Sequence, residues 1–289
     1  MTVLDPTPVD SLSSSPTARA VVLSKLLRRP TFTVSAAVVV FWFVAPVAVW
    51  VFGLDPYGEA GASNQSPGSG HLLGTDDLGR SVAVRLLAGA GPILQVAPAA
   101  TLLATIVGTV LGLIAGYHRG GVVDDLLMRS FDIFNALPGI VAVLLVASAF
   151  GRSPTTLIIS IAIFFAPIIA RTVRSAVLVE MGKQYVEAAR TQGESTRRIL
   201  FGELLPNVTP ALVVEGTIRL GYAIFVSAGL SFLNLGAQPP SPDWGLVVSQ
   251  NRIFIQNAWW SVAFPALAII SLVVAINLIA DNLKEVLDR

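Results

Sequence analysis

The chain has 289 residues, of which 13% are charged and 54% are hydrophobic. A soluble protein typically carries about 25% charged residues, so this composition excludes an ordinary water-exposed enzyme. The formal net charge of +1 gives no electrostatic basis for binding nucleic acid. Because the chain has no cysteine, disulfides, thiolate metal sites and cysteine nucleophiles are also excluded. The composition therefore indicates an integral membrane protein.

Six apolar segments predict an all-α polytopic membrane protein with six transmembrane helices. About 20 apolar helical residues are needed to cross a bilayer core of about 30 Å. In chain order the uncharged segments are 31–54, 92–117, 133–151, 153–170, 220–242 and 253–280. The fifth helix is expected to begin earlier than its uncharged run, near Ala211. The first segment is also a candidate signal peptide, but apolar regions of signal peptides span only about 7 to 15 residues.

The distribution of Lys and Arg predicts the orientation in the membrane, because positive charge is retained on the cytoplasmic side. Fourteen of the 19 Lys and Arg residues lie in segments 1–30, 118–132, 171–210 and 281–289, and four lie in the alternating segments. Both termini and a loop over 171–210 are therefore expected in the cytoplasm. We predict a cytoplasmic tail at 1–30 and a transmembrane domain at 31–289. That domain comprises the first span, an external loop at 55–91 and core helices at 92–281.

The long inner loop contains the most specific motif in the chain. Residues 184–190 are predicted to form a short helix, whose two alanines allow another backbone to approach closely. The glycine at 193 permits the left-handed turn that ends such a helix. A second helix is expected over 194–205, with the proline at 206 ending it. We expect this helix pair to dock into another protein, and the candidate docking residues are Glu187, Ala188, Ala189, Arg190, Gly193, Leu205 and Pro206.

This motif resembles the EAA loop of bacterial ABC importer permeases, and the resemblance implies that the candidate docking residues couple the chain to ATPase subunits. Three further segments, 71–80, 116–121 and 223–245, are similar to the outer-loop, first inner-loop and last outer-loop patterns of the dipeptide/oligopeptide/nickel permease group. The order of these motifs is similar to that of the C-type subunit of the permease pair. The chain departs from the group's common residues at four positions, which are Ser81, Glu203, Ser227 and Asn234.

The resemblance implies a type I importer permease in the bacterial inner membrane that transports peptides. It also implies a homologous second permease, two cytoplasmic ATPase subunits that bind ATP and Mg, and an extracytoplasmic substrate-binding protein. The chain itself has no G-x-x-x-x-G-K-[ST] motif, so we expect it to be non-catalytic and to hold no nucleotide cofactor. We also expect it to hold no metal and to contact lipid. An importer of nickel or of another small solute and, less favoured, a freestanding ion-coupled carrier are the alternative interpretations.

Two residue patterns inside the predicted spans have competing interpretations. Gly108, Gly112 and Gly116 form a GxxxGxxxG sequence, which favours close helix packing over a role in the pore. Glu215 and Arg219 are spaced i,i+4, which favours a self-neutralising ion pair. Because intramembrane charges also mark functional sites, a pore role for this pair stays open. No pattern in the sequence indicates which residues bind the substrate.

Overall fold

The computed structural model of the chain describes residues 24–68, 70–136 and 138–287, so residues 1–23 of the predicted tail lie outside the described part. The α-helices are α1 (Pro30–Val51), α2 (Val82–Ala88), α3 (Ala90–Tyr117), α4 (Val122–Ala136), α5 (Gly139–Phe150), α6 (Pro154–Glu180), α7 (Gln184–Thr191), α8 (Leu205–Phe232), α9 (Trp244–Asn251) and α10 (Trp260–Leu287). A helical turn (Thr196–Arg198) and a π-helix (Ile199–Leu204) lead into α8, and a 3-10 turn (Arg252–Phe254) follows α9. These described residues form isolated β-bridges but no β-strand.

Five helical segments in the described part are long and apolar enough to cross a membrane. They are α1, α2 continued by α3, α6, α8 with its preceding turns, and α10. A sixth span results if α4 and α5, which meet at an angle of 87°, are counted together. The predicted all-α, multi-pass fold is therefore confirmed.

The third predicted span, 133–151, is broken rather than straight. Pro138 precedes the first residue of α5 and has no N–H with which to continue the helical hydrogen bonds of α4. The helix α5 has 12 residues and is about 18 Å long, which is too short to cross a core of about 30 Å alone. The chain therefore bends sharply between α4 and α5.

The helix α6 continues ten residues beyond 170, where the uncharged run of the fourth span ends. The first charged residues after that run are Arg171 and Arg174, and both find carboxylate partners on α4. The shortest distances are 2.6 Å from Arg171 to Asp132 and 2.6 Å from Arg174 to Asp124. With these charges paired, α6 extends past the apolar run.

The fifth helix, α8, is displaced toward the N-terminus relative to the prediction. It begins at Leu205 instead of near Ala211 and ends at Phe232, so residues 233–243 are not helical. Pro206 lies in the first turn of α8, and the preceding π-helix runs into α8 without interruption, so the proline is accommodated within a continuous helical segment. The expectation that Pro206 ends a helix is therefore wrong. The segment between α6 and α8 covers only 181–204.

The hydrophobic core is centred on α3 and α6, which form the most extensive helix pair. The helix α8 packs on α3, α6 and α10, while α1 packs on α10. Alanines of α3 are fully buried at this centre, at Ala97, Ala100 and Ala104. Small side chains allow helix axes to approach closely, which is the main source of packing contacts between helices in a membrane.

Candidate functional site

The short helix α7 has a buried face and an exposed face. Val186 and Ala189, three residues apart, are buried against the hydrophobic core. Glu187, Ala188 and Arg190 are exposed. The helix is therefore anchored on one side, and its free side offers a carboxylate beside a small methyl group. Such a face allows close approach by another protein.

The end of α7 is closed by a hydrogen-bond pattern that needs a left-handed residue at position 193. Gly193 has φ +72°, and its N–H donates to the carbonyl of Arg190 at 3.0 Å. The N–H of Glu194 donates to the carbonyl of Ala189 at 3.1 Å. These two bonds make a Schellman motif. A Cβ at Gly193 would meet no atom within 4 Å, so the backbone conformation alone favours glycine here.

Polar contacts connect α7 to the C-terminal ends of α6 and α3. Glu180 accepts hydrogen bonds from Lys183 Nζ at 2.7 Å and from the Tyr185 hydroxyl at 2.8 Å. Burial, together with the hydrogen bond to Glu180, raises the pKa of Tyr185 above its usual value. The guanidinium of Arg190 lies 5.1 Å from the ring centroid of Tyr117, the last residue of α3. A displacement of α7 is thus coupled to two core helices.

The remaining residues of the predicted coupling motif lie apart from the exposed face of α7. Leu205 is half-buried in the first turn of α8 and packs against the core, and Pro206 is exposed beside it. The amide of Asn207 donates to the carbonyl of Glu203 at 2.7 Å, which supports the transition from π-helix to α-helix. Leu205 and Pro206 therefore shape the start of α8 rather than forming part of the exposed face.

Ion pairs connect α4 to the C-terminal half of α6, and sequence reasoning did not identify them. Asp124 is buried and accepts from Arg174 through Nε at 2.6 Å and Nη2 at 2.7 Å. The N–H of Gly120 also donates to Asp124, at 3.1 Å. Arg171 donates to Asp132 at 2.6 Å. The partners are 50 and 39 residues apart in the sequence, so a pattern among neighbouring residues does not predict these pairs.

On the other side of the membrane a buried aspartate organises the segment after α1. Asp76 accepts from the backbone N–H of Arg80 at 2.8 Å and from its side-chain Nε at 2.7 Å. Arg85 lies 3.5 Å from the same carboxylate and donates to the carbonyls of Pro56 and Ser241 at 3.0 and 3.3 Å. These contacts join the segment before α2 to the segment that follows α8.

Two buried tryptophans reinforce that junction. The indole N–H of Trp260 donates to the carbonyl of Thr75 at 3.0 Å, and that of Trp244 donates to the carbonyl of Leu86 at 2.8 Å. The rings of Trp244 and Trp42 meet edge to face, with centroids 4.7 Å apart. The apolar bodies of these rings are buried and their N–H groups are satisfied, so the surface segments are held against the helices.

The glycine repeat of α3 faces α6. A Cβ on Gly108 would lie 2.7 Å from the carbonyl oxygen of Ala166, and one on Gly112 would lie 2.6 Å from that of Ala170. A Cβ on Gly116 would meet the side chain of Val177 at a similar distance. The three glycines therefore lie where the two helices approach most closely.

Glu215 and Arg219 form an ion pair in the middle of α8. The Nε of Arg219 donates to Glu215 Oε1 at 2.6 Å, and the two side chains are 19% and 12% exposed, respectively. Within residues 24–68, 70–136 and 138–287, no group of three His, Asp or Glu side chains is placed to hold a metal ion.

Comparisons with known proteins agree on one family. Residues 108–289 match the family described as "Binding-protein-dependent transport system inner membrane component". The chain is 42% identical to the dipeptide transport system permease protein DppC of Alkalihalophilus pseudofirmus, covering 80% of this chain and 77% of the relative. It is 38% identical to the di/tripeptide transport system permease protein DppC of Pseudomonas aeruginosa, covering 85% and 83%. It is 37% identical to the glutathione transport system permease protein GsiD of Pectobacterium atrosepticum, covering 90% and 87%.

A solved structure shares the fold. A chain from the inward-facing MetNI methionine ABC transporter superposes with a TM-score of 0.57 at 22% identity. The superposition covers 70% of this chain and 96% of that chain. The similarity concerns the helical architecture alone.

Proposed function

The chain belongs to the family of binding-protein-dependent transport system inner membrane components, and from this premise we propose that it is the permease subunit of an ATP-driven importer of short peptides. The relatives are named for dipeptide, di/tripeptide and glutathione transport. A short peptide backbone is common to these three substrates, which favours peptides over nickel as the transported class. The location that follows is the bacterial plasma membrane.

The proposed assembly contains four kinds of component. This chain and a homologous second permease form the pore, and two cytoplasmic ATPase subunits bind ATP and Mg. A substrate-binding protein delivers peptide from the outside. The sequence supports this division of labour because it contains no phosphate-binding loop of its own. The excess of Lys and Arg in alternate segments supports cytoplasmic termini and a cytoplasmic α7.

The exposed face of α7 is the observation that carries the proposal. Glu187 and Ala188 are presented outward, while Val186 and Ala189 anchor the helix in the core. In the proposed mechanism the ATPase subunits bind this face. They move it when ATP binding brings the two ATPase subunits together. The contacts from α7 to α6 and α3 pass this motion to the helix bundle, which then switches access to the pore from one side to the other.

Reconstitution tests the assignment to an ATP-driven system. In proteoliposomes the chain alone is expected to show neither ATP hydrolysis nor uptake under a proton or sodium gradient. The complete complex with its binding protein is expected to import peptide when ATP is added. Gradient-driven uptake by the chain alone would refute the importer and support a freestanding carrier.

The same reconstituted complex tests the coupling role of α7. We expect Glu187→Lys and Gly193→Val to abolish peptide uptake while ATP hydrolysis and assembly persist. Valine at φ +72° is strained by on the order of 1–3 kcal/mol, which displaces the end of α7. The matched control is Gly182→Val in the same segment, because Gly182 has no positive φ and its added Cβ would have only ordinary contacts. Uptake at the wild-type level by both test variants would contradict the coupling role.

A further inference from the structure

A large cavity lies between α5, α6 and α8, outside the coupling segment. Its volume is about 430 Å³, which corresponds to the space of about 14 water molecules at about 30 Å³ each. The cavity is open on one side rather than enclosed, and its size suits a small solute.

The wall of the cavity is aromatic and apolar, with one charged group. The lining includes Phe164, Phe165, Tyr222, Phe225 and Arg219. Arg219 is the one charged side chain among the described residues that line it, and Glu215 is not part of the lining. Tyr222 and Phe225 are also more than half exposed, so the cavity opens to the uncovered face of α8.

The pairing of Arg219 leaves part of its guanidinium unused. The Nε edge donates to Glu215 at 2.6 Å, and the guanidinium carbon lies 5.3 Å from the ring centroid of Tyr222. Among the described residues, Glu215 is the only acceptor that bonds this guanidinium. The two terminal nitrogens, Nη1 and Nη2, form one of the two edges of a guanidinium that can bind a carboxylate through two parallel hydrogen bonds. Glu215 thus holds the side chain in place without occupying that pair of donors.

The position along the helix places this group deep in the membrane. Arg219 is 14 residues from the start of α8, or about 21 Å along its axis. A charge at such a depth costs about 2.5 kcal/mol or more, so charged residues there generally face a polar path or a partner. Neutralising Glu215 needs only the Nε contact. The cavity beside the remaining donors is not needed for that neutralisation.

We propose that Arg219 is a binding residue for the substrate within the translocation path, where its Nη1 and Nη2 hold the C-terminal carboxylate of a short peptide. The aromatic wall accommodates the peptide's apolar side chains, and Glu215 is a positioning residue for the guanidinium. This inference rests on the proposed function, because it requires that peptides pass through the bundle. It assigns the carboxylate as the group by which the permease itself recognises its substrate.

The test uses the complete transporter in proteoliposomes, with alanine peptides of two to five residues as probes. The main variant is the double substitution Glu215→Gln with Arg219→Gln, which removes both charges and leaves neither residue unpaired. We expect it to assemble and to hydrolyse ATP as the wild type does when the loaded binding protein is added. Peptide uptake should fall by roughly 10- to 100-fold, the range for losing hydrogen bonds to a charged group.

Two further variants sharpen the test. Arg219→Lys keeps the charge but loses the bidentate geometry, so its uptake should lie between those of the wild type and the double variant. The control is Arg129→Gln, which removes an arginine from an exposed i,i+4 pair with Asp125 outside the cavity. Uptake by this control should stay within about twofold of the wild type, because exposed ion pairs contribute little.

Each contrary outcome has a distinct meaning. Wild-type uptake by the double variant would overturn the carboxylate site and leave the pair as self-neutralising. Loss of assembly in the double variant would also overturn it, by assigning Arg219 to the contact with the second permease. If the wild-type complex imports none of the alanine peptides on ATP, the proposed substrate class fails and the site fails with it.

Discussion

Asp243 shows at the scale of a single residue how the segment between α8 and α9 is built. It caps the N-terminus of α9, with its Oδ1 accepting from the N–H of Leu246 at 3.1 Å. Its side chain is almost completely buried, and burial raises its pKa to about 6, although hydrogen bonds from Leu246 and Gly245 favour the charged form. Burial of the ionised carboxylate thus has a free-energy cost, and this cost depends on the protonation state of Asp243.

That cost predicts a specific pH dependence of stability. The folded pKa lies above the ordinary 3.8, so between about pH 4 and about pH 6 the folded state holds a proton that the unfolded state releases. The free energy of unfolding contributed by Asp243 should therefore fall as pH rises through this window, by on the order of 3 kcal/mol, and then stay constant. Asp243→Asn keeps the cap but does not titrate.

Thermal unfolding in detergent, at intervals from about pH 4 to about pH 8, measures this effect. The melting temperature of the wild type relative to Asp243→Asn should decrease across the window and level off above it. Melting curves that keep a constant separation at every pH would contradict the raised pKa.

At the scale of secondary-structure elements, the contact between α3 and α6 dominates the molecule. Glycines spaced by four residues form one face of α3, and backbone carbonyl oxygens of α6 lie against two of them. The lipid does not drive these helices together by a hydrophobic effect, so van der Waals contact at close range supplies the association. The same two helices also receive the polar contacts from α7.

A single methyl group is expected to weaken this contact. In Gly112→Ala the new Cβ would lie 2.6 Å from the carbonyl oxygen of Ala170, so the helices must move apart, at about 1–3 kcal/mol. The control is Gly229→Ala in α8, where a Cβ meets nothing within 4 Å. Because alanine favours helix over glycine, that control should be neutral or stabilising by up to about 1 kcal/mol.

Thermal stability of the two purified variants, followed as the fraction that remains monodisperse after heating, gives the comparison. Gly112→Ala should aggregate at a lower temperature than the wild type, and Gly229→Ala should not. Equal or higher stability of Gly112→Ala would show that the two helices tolerate a wider separation.

At the scale of the whole molecule, the two sides of the bundle differ in construction. One side carries the segment 52–81, which Asp76, Arg85 and two tryptophans fasten to the helices. The other side carries α7 and the ion pairs between α4 and α6. On the side of segment 52–81 the surface segment is held against the helices. On the side of α7, ion pairs hold α4 and α6 together and one short helix is exposed.

The orientation of these two sides is directly testable, because the chain has no native cysteine. A Leu72→Cys variant should react with a membrane-impermeant maleimide in intact cells, since Leu72 is 84% exposed. A Thr191→Cys variant should react only after the cells are permeabilised, because the charge distribution predicts that α7 lies in the cytoplasm. A membrane-permeant reagent that labels both variants is the control. Labelling of Thr191→Cys in intact cells would reverse the topology.

The sequence by itself determined the class of the protein and several local features, because these depend on neighbouring residues. Long uncharged runs predict the membrane spans from their length alone. The end of α7 follows from a glycine at 193, where the Schellman motif needs a left-handed residue. The Glu-Ala-Ala motif and the outer-loop motifs indicate the permease family, to which the comparisons also assign the chain.

Only the tertiary structure decided how distant segments meet. The bend before α5, the extension of α6 by paired arginines and the displaced start of α8 all differ from expectations based on uncharged runs. Which face of α3 meets α6, and that Arg219 borders a cavity while Glu215 does not, depend on the rotation of each helix about its axis. Packing between helices sets those rotations, and a pattern along one helix does not report the surface of its neighbour.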